Sequence, residues 1–112
     1  MAGAVSPATI RRMFTHVVLF WLKPDPPAGA KQQLLDDCHN LLSKIPGLLA
    51  FDAGVPAGTP REVVDNSYDV GLLTAFADKA GHDAYQTHDL HQQFIARNKP
   101  NFGRIVVYDF VR

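Results

Sequence analysis

Tyr85, His88 and His91 are the residues of this chain whose types and spacing most readily do chemistry. They sit in the stretch Asp-Ala-Tyr-Gln-Thr-His-Asp-Leu-His from Asp83 to His91. The two histidines stand three residues apart, so on a helix they share a face, with Tyr85 on the same side. Leu90, Phe94 and Ile95 follow, which sets this polar group beside an apolar wall. Two imidazoles and a phenol in that setting can bind a ligand or move protons. They can equally be amphipathic core residues, each with a satisfied polar tip. Taking a proton from a carbon next to a carbonyl needs a base with a pKa near working pH, which a neutral histidine supplies. The resulting enolate needs a donor, which a phenol or second imidazole provides. A metal site is the weaker reading. His82, His88 and His91 offer imidazoles, but a metal wants three or four ligands and no carboxylate or cysteine pattern completes the set. No metal and no cofactor are therefore expected.

Other residues carry less specific signals. His16 is the one ionisable group in the apolar run Phe14 to Leu22, and reads as a core histidine or as a donor facing a site. Cys38 falls in a helical apolar stripe, so a buried thiol is expected rather than a reactive one. Gly71, inside a strand, signals a bulge or a close approach to the sheet. Asp65, Asp69 and Asp109 read as single carboxylates, with no pair for acid and base work. His39 and His82 read as solvated helix histidines, and Arg97 and Lys99 as a solvated basic edge. No phosphate-binding glycine loop or dinucleotide fingerprint is present.

The elements that must position these groups follow from the apolar periodicity. Phe14 to Leu22 is β-branched, aromatic and apolar on both faces, which predicts a strand covered on both faces. Ala30, Leu34, Cys38, Leu41, Leu42 and Ile45 form a 3.6-residue stripe, which predicts a helix from Ala30 to Ile45, with Asp25 as its N-cap. Pro46-Gly47 stops it. Leu48 to Val55 and Tyr68 to Phe76 read as strands, separated by a polar loop. Asp78 caps a helix beginning at Lys79, a further turn or helix runs from Asp89 to about Arg97, and Phe102 to Val111 is the last strand. The order is strand, helix, strand, strand, helix, strand. It predicts a split βαβ unit, a four-stranded antiparallel sheet with the helices on one face. The strands are nevertheless apolar on both faces. A second copy packing sheet against sheet resolves this, so a homodimer is expected.

The chain has 112 residues, eleven basic and eleven acidic, with formal net charge zero. That is one domain, expected over residues 14–112 after a flexible leader over residues 1–13. Zero net charge argues against a partner bound through its phosphates, so no nucleic acid is expected. No run approaches the ~18 apolar residues of a membrane span, so no membrane partner is expected either. The single cysteine permits no intrachain disulfide, and no signal peptide is visible in the first residues; the cytoplasm is the expected location.

Taken in order, several stretches resemble the stress-responsive A/B barrel (Dabb) family. They are His16-Val17-Val18-Leu19-Phe20, Ile45-Pro46-Gly47, Tyr68-Asp69-Val70-Gly71-Leu72, Tyr85-Gln86-Thr87-His88-Asp89-Leu90-His91 and Val106-Val107-Tyr108-Asp109-Phe110. The resemblance spans Phe14 to Val111. It implies an α+β, ferredoxin-like chain, βαββαβ, pairing through its sheet faces into a dimeric α+β barrel. Family members include heat-stable stress proteins and a plant polyketide cyclase that closes a ring by aldol condensation. The cyclase pattern falls on His16, Tyr85 and His91 as catalytic residues. The implied roles are His91 as base, Tyr85 orienting it or the substrate oxygen, and His16 donating from the sheet. A pocket tyrosine of that cyclase falls at Cys38 and a pocket histidine at Val70, so those two types differ here. His88, Phe94, Gly71 and Cys38 are expected around the ligand. The expected function is a stress-type barrel binding a small, apolar, carbonyl-bearing ligand between sheet and helices. The alternative is a cofactor-free cyclase or lyase.

Overall fold

The first strand, β1 (Phe14–Leu22), lies inside the sheet, between β3 and β4, with its inner face buried and its outer face half-buried. In this computed structural model, which describes residues 12–112, it is followed by α1 (Ala30–Asn40), β2 (Ala50–Gly54), β3 (Val70–Phe76), α2 (Lys79–Thr87), α3 (Asp89–Asn98) and β4 (Phe102–Val111). Single 3-10 turns follow α1 (Leu42–Lys44) and α3 (Lys99–Asn101). The strand order is β2-β3-β1-β4, all neighbours antiparallel. This is the α+β, ferredoxin-like arrangement, with the helices on one face.

The inner face carries Val18 and Phe20 of β1 and Val70, Leu72 and Phe76 of β3. Leu34, Cys38 and Leu42 from the α1 region and Phe94 from α3 close on them. The helices cover β2, β3 and β1 but leave the inner face of β4 open, so Ile105 and Val107 remain exposed there. On the outer face Leu73, Tyr108 and Phe110 are exposed too. Asp37, buried at the α1–α3 contact, accepts hydrogen bonds from Arg97 Nε at 2.7 Å and Asn98 Nδ2 at 2.9 Å. That carboxylate pins α3 to α1 and fixes where α3 presents its cavity face.

Several expectations need correction. The first helix ends at Asn40, with Leu41 as its C-cap, and a 3-10 turn takes over before Pro46. Its N-cap is Gly29, in the left-handed region at φ 81°, and not Asp25. Asp25 itself turns the chain with φ 51° between two prolines. The bulge lies in β4, where the β1–β4 register shifts between Trp21 and Leu22. Gly103 is the extra residue, and a Cβ there would meet the Leu22 carbonyl oxygen at 2.9 Å. Gly71 pairs regularly with both Leu19 and Gly54; what approaches it is the Tyr68 ring, 3.3 Å from where its Cβ would be. The leader expected over residues 1–13 lies, up to residue 11, outside the described residues. Met13, just before β1, exchanges backbone hydrogen bonds with Arg112. Among the described residues no helix is long and apolar enough to cross a membrane.

Candidate functional site

His16 and Asp109 are directly opposed in the β1–β4 ladder, which turns both side chains to the inner face. His16 Nδ1–H donates to Asp109 Oδ1 at 2.5 Å, a short charge-assisted bond. The imidazole is buried, 7% exposed, while the carboxylate reaches toward solvent at 41%. Burial holds the His16 pKa below the ordinary imidazole value, against the hydrogen bond and charge of Asp109, and His82 nearby pushes the same way as burial. A neutral ring with its proton fixed on Nδ1 leaves the Nε2 lone pair as an acceptor. Gln86 Nε2, on α2, lies 3.4 Å from that atom and 3.2 Å from His82 Nε2, so one amide group serves two imidazoles.

Tyr85 enters from α2, whose N-cap Asp78 accepts from Gly81 N–H at 2.9 Å. Its ring packs on Phe76, centroids 5.0 Å apart, and meets His91 edge-on at 4.9 Å. The residue is 1% exposed, and its hydroxyl is buried with no hydrogen-bond partner among the described residues. Burial, and then the neighbouring Cys38, raise its pKa well above the ordinary phenol value. The group therefore stays a protonated donor. His91, on the first turn of α3, is held below the ordinary imidazole value by burial and then by His16 and His82.

His16, Tyr85, His91 and Phe94 line one cavity of about 420 Å³ between the sheet and α2–α3, with Ile105 and Val107 of β4 along its side. The structure thus brings together four of the seven residues singled out from sequence. The other three go elsewhere. Cys38 is sealed in the core, with its thiol pKa pushed up to about 12 by burial and by Asp37. Gly71 lines a depression of about 310 Å³ on the opposite sheet face, with Leu19, Tyr68 and Leu73. His88 does not share a helical face with His91. Its backbone is extended, at φ −63° and ψ 146°, and it separates α2 from α3. There it is the N-cap of α3, its Nδ1 accepting from Leu90 N–H at 3.0 Å.

Three residues of the site do not follow from the sequence reading: His82 and Gln86, which line the cavity, and Asp109, which stands behind His16. Asp109 reads in sequence as a lone carboxylate, although Ile105, Val107 and Asp109 alternate along one face of the last strand, which places an acid among inward apolar residues. His82 is not the solvated helix histidine that its sequence position predicts. Its side chain is 13% exposed, stacked on Phe14 at 4.8 Å and tilted against His16 at 4.5 Å. Gln86 carried no signal beyond standing one turn from His82.

Comparisons place the chain among known proteins. The family described as Stress responsive A/B Barrel Domain (Dabb) matches residues 14–112. A Dabb family protein with a ferredoxin-like fold from Mesorhizobium loti is 28% identical, with TM-score 0.72 over 91% of this chain and 98% of that one. A dimeric ferredoxin-like protein of unknown function from Thermobifida fusca is 21% identical, with TM-score 0.76 over 92% and 93%. A hydroxynitrile lyase from Passiflora edulis is 18% identical, with TM-score 0.74 over 89% and 93%. At such identities the last two speak to the fold alone. No curated protein matches.

Proposed function

The chain belongs to the stress-responsive A/B barrel domain family, and from that premise we propose that it is a homodimer whose protomers each bind a small, largely apolar, oxygen-bearing molecule in the cavity beneath α2 and α3. The Tyr85 hydroxyl carries this reading: a donor buried in the cavity wall and unpartnered among the described residues. Leaving such a group unpaired costs about 1–3 kcal/mol. A carbonyl or hydroxyl oxygen on a bound molecule recovers that cost, and the apolar remainder packs against Phe94, Ile105 and Val107. The dimer is supported by the apolar outer face with Leu73, Tyr108 and Phe110 exposed, and by solved structures of the same fold described as dimeric. Ligand-induced melting shifts across a panel of small ketones and phenols test the binding, since a molecule that binds only the folded state raises the melting point. Shifts that persist unchanged in Tyr85→Phe would sink the assignment.

A second reading is favoured by the His16–Asp109 pair. A neutral imidazole whose Nδ1 proton is held by a carboxylate presents Nε2 as a base to whatever occupies the cavity. Here His16 takes a proton from a carbon next to a carbonyl, and Tyr85 O–H donates to the developing oxyanion. The geometry favours His16 over His91 as base, because Asp109 fixes the His16 tautomer while His91 lies against the rings of Tyr85 and Phe94. The site is then a cofactor-free enzyme of the cyclase or lyase kind. Deuterium exchange at the α-carbon of a bound ketone, followed by NMR, checks it. Exchange no faster than in buffer, for ketones shown to bind, leaves a binding barrel without turnover.

A further inference from the structure

His82 is the imidazole that neither reading uses. It is largely buried, held between Phe14 and Phe76, and its Nε2 points to the same amide as His16 Nε2. Each ring has a carboxylate on its other nitrogen: Asp109 on His16 Nδ1, and Asp83 3.3 Å from His82 Nδ1. Ligand-type atoms of His16, His82 and Asp109 all lie within 4.8 Å of one another. Two imidazoles with Nδ1–H bound to carboxylates and Nε2 lone pairs turned to one point are the arrangement that metal-binding histidines adopt, the carboxylates fixing tautomer and orientation.

We infer that His16 Nε2 and His82 Nε2 bind a first-row divalent cation, with Gln86 as third donor and Asp109 as the carboxylate behind His16. A half-turn of the Gln86 amide presents Oε1 in place of Nε2 at the shared point. Two imidazoles and one amide oxygen suit Zn(II), Co(II) or Ni(II) and are poor for Ca(II) or Mg(II), which prefer all-oxygen shells. Three protein donors leave a fourth position open to the cavity, the pattern of reactive and not of closed structural sites. Such an ion occupies the His16 lone pair, so ion binding and the use of His16 as a base exclude each other. The inference is thus separable from the ligand-binding reading carried by Tyr85, and a bound ion would silence the His16 base of the second reading.

The probe is Co(II) chloride, titrated into the full chain without an added histidine tag and followed by its visible d–d absorption. The expected result is one Co(II) per protomer, displaced by Zn(II), in the wild type and in His39→Ala, whose exposed imidazole is remote from the site. His82→Phe keeps the stack on Phe14 and removes the donor, so it should abolish the band, with folding checked by circular dichroism. Asp109→Asn should weaken binding by about 10–100-fold. A measurement needing no variant is the imidazole 15N spectrum: Zn(II) should shift Nε2 of His16 and His82 and leave His39 unmoved. No band in the wild type, a band undiminished in His82→Phe, or 15N shifts confined to other histidines would each overturn the inference.

Discussion

Replacing Tyr85 by Phe should stabilise the unliganded protein. The substitution removes one oxygen and leaves the ring, whose contacts with Phe76 and His91 carry the packing. The hydroxyl is buried and makes no hydrogen bond among the described residues, so the folded state bears its desolvation while the unfolded state hydrates it. That penalty is about 1–3 kcal/mol. Replacing the hydroxyl by hydrogen also leaves a small gap, which takes back part of the gain. A net stabilisation of about 1 kcal/mol remains, or roughly 4 °C in the melting point for a domain of this size. Urea unfolding followed by circular dichroism, at fixed protein concentration because any self-association shifts apparent stability, measures it; the m-value should not change. The same variant should lose about tenfold in affinity for an oxygen-bearing ligand, or ~1.4 kcal/mol. Stability and binding then move in opposite directions, as expected of a group held ready for a ligand. Destabilisation by more than about 1 kcal/mol would refute the reasoning, since it would mean that the hydroxyl is already satisfied in solution.

Asp109→Asn should slow α-deuterium exchange of a bound ketone by at least about tenfold, because an amide no longer fixes the proton on His16 Nδ1; equal rates in both proteins would remove Asp109 from the site. Cys38, its thiol pKa pushed up to about 12, should resist alkylation in the native protein at neutral pH and react fully in urea; fast labelling of the folded chain would contradict its burial. His91 has a folded pKa below its unfolded value near ~6.5, so the unfolded chain binds more protons as pH falls. The stability is therefore full above the unfolded value and lost as pH drops through the folded one. His91→Gln should flatten the stability–pH curve on its acid side, and an unchanged slope would count against a buried neutral imidazole. Asp37→Ala should destabilise by about 1–2 kcal/mol, because Asn98 Nδ2 loses a buried partner while Arg97 is exposed enough to rehydrate; a loss near zero would mean that packing alone fixes α3.

The element order was determined by sequence, because apolar periodicity is a local property, whereas the central place of Phe14 to Leu22 follows from which strands pair. The placement of Asp78 at a helix start followed for the same reason: a cap bonds within its own first turn. Tyr85, His91 and Phe94 were legible as a group because they are close in the chain and adjoin an apolar run. His88 misled, since one extended residue breaks the helical phase, and spacing cannot reveal a cap used in place of a continuous helix. Asp109, His82 and Gln86 became visible only in three dimensions. The partnership of His16 with Asp109 depends on which strands pair and in what register, and a shift of one residue would turn the carboxylate to the other face. The burial of His82 depends on Phe14 lying over it from a strand distant in sequence. Side-chain chemistry and local periodicity are written along the chain; the partner that sets a tautomer, or orphans a hydroxyl, is decided by long-range packing.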